Sequence, residues 1–139
     1  MPAEIQNQVD PLMAMLKSDF ANTSEYFARQ ALLSPATDQA ISDRVVSDYR
    51  NMDQNIGIEL IASTFTYYPR KRELMSQLKH KMYLINVDNN PTNEELLKKY
   101  ANSGYAVKPI EGTCHYPMIE KPDDFNRLLE GIIAEVNVI

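Results

Sequence analysis

One stretch limits the possible folds more than any other: Met82-Tyr83-Leu84-Ile85-Asn86-Val87, an almost unbroken apolar run stopped by Asp88-Asn89-Asn90-Pro91. Its length and composition suit a strand covered on both faces, as in parallel sheets. A parallel neighbour needs a crossover, usually a helix, and the sequence supplies one directly. Thr92 or Asn93 can cap a helix carrying Leu96, Leu97 and Tyr100. Glu94 and Glu95 fall in its first turn and Lys98 and Lys99 in its last, the charge order that the helix dipole favours. Asn102-Ser103-Gly104 ends it, and Ala106-Val107-Lys108-Pro109-Ile110 reads as a second strand. The unit is β-α-β, with parallel strands and a right-handed crossover. Asp123 to Val136 then spaces Phe125, Leu128, Leu129, Ile132, Ile133 and Val136 as one apolar helical stripe, which must lie on a sheet.

Before Lys81 the period is that of helices. Ile5, Val9, Leu12, Met13, Leu16 and Phe20 share one face of a helix that Pro11 starts or kinks, with Asp10 as a candidate N-cap. Thr23 or Ser24 can cap a second helix with Phe27, Ala28, Ala31 and Leu32, closed by Ser34-Pro35. Thr37 can cap a third through Ile41, Val45 and Tyr49, and Asp53 a fourth through Ile56, Leu60, Ile61 and Phe65. Pro69 opens a short basic helix ending near Leu78. Residues 1–78 thus read as a helical segment and 79–139 as a β-α-β-α segment. With no repeat, linker or composition break between them, they are two layers of structure more than two independent domains.

The 139 residues suit one domain of ordinary size. A formal net charge of −5 offers no electrostatic footprint for nucleic acid or for an anionic membrane surface. The basic cluster of Arg70, Lys71 and Arg72 with Lys79, His80 and Lys81 reads as a solvated face. A single cysteine cannot make an internal disulfide, and no Cys/His array offers a zinc site, so neither metal nor cofactor is expected. The N-terminal stretch lacks the basic and apolar regions of a signal peptide, and no segment has membrane-spanning length. The expected compartment is the cytoplasm.

His115 is the centre of the chemistry. Imidazole exchanges a proton near neutral pH, and the stretch from Gly112 to Pro122 places this one between the second strand and the last helix. The plainer alternative is a loop histidine that only makes hydrogen bonds. Asp88 follows the first strand directly, and in parallel sheets functional groups gather outside the carboxyl ends of strands. Its own alternative is an Asx turn, which the neighbouring Asn-Asn-Pro suits equally. If both loops reach one edge, the Asp88 carboxylate can lie within hydrogen-bond reach of a ring nitrogen of His115.

The run Gly112-Thr113-Cys114-His115-Tyr116-Pro117-Met118-Ile119-Glu120-Lys121-Pro122, followed by Asp123-Asp124-Phe125, resembles the closing segment of α/β-hydrolase-fold enzymes. There a Gly-x-Gly-His-aromatic run, then Glu-x-Pro-acidic-x-Phe, carries the catalytic histidine and begins the last helix. The resemblance implies that His115 is the base. It also implies that Asp88, in the segment Ile85 to Thr92, is the acid, and that the preceding helices are a cap. Cys114 stands where the family usually has glycine, which leaves the backbone before His115 less free, because a Cβ resists positive φ. The third member of such a triad, a serine in Gly-x-Ser-x-Gly, is missing: none of the serines at 18, 24, 34, 42, 47, 63, 76 and 103 has that setting. Cys114 is the remaining nucleophile candidate, but as a neighbour of His115 its side chain should point away from the imidazole, and it reads as structural.

The resemblance therefore covers the back half of the fold, from cap to last helix, and implies acyl or ester hydrolysis of a small, fairly apolar substrate in the complete enzyme. Met1 can be a native start or a truncation point. Two alternatives stand beside this reading: a non-catalytic interaction protein on the same scaffold, and a free-standing enzyme with an unrecognised nucleophile. Two strands alone leave open edges, so a homo-oligomer or a complementing chain is expected.

Overall fold

The computed structural model describes residues 3–67 and 70–137, the side chains of 3–8 and 137 excepted. It is helix-rich α/β, with one two-stranded parallel sheet. Helix α1 spans Ala3–Ser18 and runs through Pro11, so Asp10 lies inside the helix, not at its start. Proline removes one backbone bond there.

The second helix, α2, spans Phe20–Phe27 and continues as a π-helical turn, Ala28–Leu32. Its cap is Asp19, whose carboxylate accepts from Asn22 N at 3.3 Å and from Asn22 Nδ2 at 2.7 Å. Thr23 and Ser24, the expected caps, lie a turn later and are buried. Starting the helix at Phe20 brings that ring, 8% exposed, into the packing, and this outweighs the capping preference of the hydroxyls. Helix α3, Gln39–Asn51, is capped by Asp38 instead of Thr37: Asp38 Oδ1 accepts from Ala40 N and Ile41 N. The Thr37 hydroxyl is committed elsewhere, accepting from Ser34 N and donating to Glu120 Oε2. Helix α4, Gln54–Tyr67, starts at Asp53 as expected, with Oδ1 accepting from Asn55 N and Ile56 N. Pro69 lies outside the described residues, and the short helix after it, α5, spans Lys71–Ser76.

Strand β1, Met82–Val87, pairs in parallel with β2, Tyr105–Ile110, in a register running from Met82 opposite Tyr105 to Val87 opposite Ile110. Helix α6, Glu94–Tyr100, forms the crossover, with Asn93 Oδ1 accepting from Leu96 N. Gly104, at φ +85°, makes the turn into β2 that a side chain would resist. A short α7, Pro117–Glu120, leads into α8, Pro122–Asn137, which packs on both strands.

Burial departs from the expected pattern in the sheet. Every residue of β1 is only half-buried, although its composition suits a strand enclosed on both faces. On α8, Ile132 is buried, while Leu129, Ile133 and Val136 are exposed. One neighbouring strand and one helix do not cover an apolar strand. The tightest cluster is instead helical: Ala28, Leu32, Val45 and Val46, packed by Phe27, Ile41 and Tyr49, with Tyr116 and Ile119 reaching in from beyond the sheet. The His-bearing segment is thus built into the core of the helical half.

Candidate functional site

Parallel strands deliver the loops after β1 and β2 to the same edge, and there the loops are bonded together. Asp88 Oδ1 accepts from Gly112 N at 3.3 Å, and Asn89 Nδ2 lies 3.0 Å from Cys114 Sγ. Asn86, still in β1, turns its amide onto Asn90 O and Thr92 Oγ1, both at 2.8 Å, which shapes the first loop. In the second loop Gly112 has φ +66°, the conformation that glycine allows without strain. The left-handed position is therefore at Gly112, and Cys114, with negative φ and 4% exposed, carries no such strain.

His115 sits in the most heavily braced part of the chain. Glu120 spans the loop, its Oε1 accepting from Cys114 N at 3.0 Å while Oε2 accepts from the Thr37 hydroxyl at 3.1 Å. The backbone N–H of His115 donates to Leu32 O at 3.2 Å, a direct tie to the helical half. The Tyr116 hydroxyl donates to that of Tyr49 at 3.2 Å. Burial chiefly, and the bond to Tyr49, push the Tyr116 phenol well above its usual range and keep it neutral as a strut. The imidazole itself is exposed and stands edge-on to the Tyr116 ring, with centroids 5.1 Å apart and planes at 82°.

Among the described residues the Asp88 carboxylate bonds Gly112 N and not the His115 ring. The two residues share the carboxyl edge of the sheet, but the carboxylate–imidazole bond expected from strand order is not made. The physical reason is local: the Gly112 amide faces Asp88 from the start of the second loop, and two to four residues further on, at Cys114, His115 and Tyr116, the bracing by Glu120, Leu32 and Tyr49 sets the course of the chain. Cys114 is buried against Asn89, which fits the structural role read for it.

His115 also lines an apolar cavity of about 330 Å³. Leu12 and Leu16 of α1, Phe27 at the end of α2, and Ile61 and Phe65 of α4 form much of its wall. The exposed loop histidine thus forms part of the wall of a cavity otherwise made by the helical half. Sequence reasoning missed the parts played by Glu120, Asn89 and Tyr49, because each acts on a partner at least six residues away, beyond the reach of periodicity or capping rules. Among the described residues no three His, Cys, Asp or Glu converge on a metal-binding arrangement, and no helix is long and apolar enough to cross a membrane. No protein-family model and no curated protein matches this chain.

Proposed function

We propose that this chain is the acid- and base-bearing part of an α/β-hydrolase-type catalyst of acyl or ester hydrolysis, with His115 as base, Asp88 as acid and the helices before β1 as cap. The observation that carries the reading is the joining of the two post-strand loops at the carboxyl edge of a parallel pair, with His115 lining an apolar cavity walled mostly by the helical half. In such a catalyst the imidazole takes the proton of an attacking hydroxyl and returns it to the leaving group, while a carboxylate holds the ring in one tautomer and stabilises its charged form. Asp88 has lone pairs for both the Gly112 amide and an imidazole N–H. The nucleophile and the oxyanion amides come from outside these residues, and the cavity takes the apolar part of the substrate.

A second reading, a non-catalytic interaction protein on the same scaffold, draws on the missing Gly-x-Ser-x-Gly and on Asp88 being bonded to Gly112 in place of His115. The test is to isolate the tagged chain from its native cells with whatever accompanies it and treat the material with a fluorophosphonate. The expected result is a labelled serine in an accompanying or extended polypeptide, with labelling lost in His115→Ala while the association persists. A complex with neither a labelled serine nor ester hydrolysis would favour the interaction protein.

A further inference from the structure

The two edges of the sheet are not alike. The phase of the β1–β2 ladder is fixed at its start, where Met82 N donates to Gly104 O at 3.0 Å. In a parallel ladder alternate residues bond the same neighbour, so Met82, Leu84 and Asn86 turn their backbone groups to β2 while Tyr83, Ile85 and Val87 turn theirs outward. On β2 the same phase turns Ala106, Lys108 and Ile110 inward and Tyr105, Val107 and Pro109 outward. Pro109 therefore leaves the ladder intact, and its missing N–H interrupts the outer edge of β2, as prolines on edge strands do. The outer edge of β1 has no such break. Each of its outward residues keeps both N–H and C=O, is aromatic or β-branched and is half-buried, and the two-stranded sheet gives it no further strand to meet.

We propose that the outer edge of β1 is a dimerisation surface for a second copy of this chain, the two β1 strands pairing antiparallel about a two-fold axis at Ile85 to give a sheet of order β2-β1-β1-β2. That register engages every outward residue. Tyr83 meets Val87 of the second copy and Ile85 meets its own counterpart, each pair exchanging both backbone bonds and setting aromatic and β-branched side chains opposite one another. A symmetric parallel pairing of two β1 edges is ruled out, because a residue that bonds toward the neighbour then has to face one whose groups point away. Head-to-tail pairing of β1 with β2 of the second copy meets the break at Pro109 and would grow into an open ribbon. Charge favours the antiparallel order too: Lys79, His80 and Lys81 precede β1 and Asp88 ends it, all exposed, so the cationic start of each copy lies toward the anionic end of the other. A six-residue edge, roughly 20 Å long, is a narrow contact by itself. Lys108 of β2 pairs with Glu135 of α8, which puts α8 on the face of Lys108 and, through the register, of Ile85. The two-fold axis lays both α8 helices on that one face of the joined sheet, where Ile133 and Val136 are still half-exposed and add apolar area. The dimer needs nothing from the hydrolytic reading, since antiparallel strands send the two His115 loops to opposite ends.

The experiment is sedimentation equilibrium of the purified chain with amide hydrogen exchange read residue by residue, both across a roughly hundredfold range of concentration. A monomer–dimer equilibrium is expected, with exchange at Tyr83, Ile85 and Val87 slowing roughly tenfold or more as dimer forms while Tyr105 and Val107 stay fast. Ile85→Lys and Ile85→Glu each place like charges face to face across the axis and should be monomeric, and mixing the two should restore a dimer holding one of each. Protection at Tyr105 and Val107 in place of the β1 amides would overturn the choice of edge. A parent chain that stays monomeric with fast β1 amides would overturn the second copy as occupant and leave the edge to a strand of a different chain. A dimer of Ile85→Lys as tight as the parent's would overturn the axis. Fluorophosphonate labelling of the native material bears only on the hydrolytic reading, so the two fail separately.

Discussion

Gly57 illustrates how one absent methyl group sets a helix contact. A Cβ built there would lie 2.4 and 2.7 Å from ring carbons of Phe20 and 3.2 Å from Met52 Sδ, so α4 approaches α2 as closely as it does only because the position is bare. Helix propensity alone would favour alanine by about 1 kcal/mol. The contact reverses that sign: Gly57→Ala is expected to lower stability by about 1–3 kcal/mol, read as a lower urea midpoint at constant m. A raised midpoint would show that the Phe20 ring yields freely. Glu120 is the other decisive residue, since its two oxygens tie the His loop to Ser34–Thr37. Glu120→Ala leaves Cys114 N and the Thr37 hydroxyl without an acceptor and should cost about 1–3 kcal/mol. It should also broaden or shift the His115 amide resonance, and an unchanged His115 signal would show that Leu32 and Tyr49 suffice to hold the loop.

At the scale of elements, α2 and α3 are joined on their exposed side by Arg50, whose Nη1 reaches Asn22 Oδ1 at 2.9 Å and Glu25 Oε2 at 2.6 Å, while Arg29 bonds Glu25 Oε1. The bonds from Arg29 and then Arg50 hold the Glu25 carboxyl below its ordinary value of 4.5. A depressed folded-state pKa means a contribution to stability that is present above about 4.5 and lost as pH falls through the lower folded value. Glu25→Gln should therefore flatten the acid limb of a stability-versus-pH curve below that point, and a limb of unchanged slope would mean that solvent screens the cluster completely. The helix starts show how far local rules reach. Asp53 caps where pattern reading places it, and of the two candidates Thr92 and Asn93 it is Asn93 that caps, the Thr92 hydroxyl being held by Asn86. Asp19 and Asp38 displace neighbouring hydroxyls because the position of Phe20, and the need for Thr37 at Glu120, are tertiary matters.

For the molecule as a whole, the described residues form one small core centred on the helices and a sheet that stays half-exposed. Both outer edges of the two-stranded sheet carry unpaired backbone groups, beside an α8 whose Ile133 is 51% and Val136 48% exposed. Such edges invite pairing with another chain. We expect the isolated chain to associate, seen as concentration-dependent sedimentation. A sharp monomer boundary at every concentration, together with cooperative unfolding, would count against this.

What the sequence determined by itself is whatever depends on neighbours a few residues apart. The bounds of β1, the crossover helix with a cap at Thr92 or Asn93, the parallel pairing and the amphipathic α8 all follow from period, capping and connection length. The placement of Asp88 and His115 after adjacent parallel strands was legible for the same reason. The tertiary structure alone decided which partners those side chains take. Asp88 goes to Gly112 N, the His115 backbone to Leu32, and Glu120 to both Cys114 N and the Thr37 hydroxyl. These outcomes rest on contacts between segments from about 20 to more than 80 residues apart, whose geometry is set by the packing of whole elements and leaves no periodic mark in the chain.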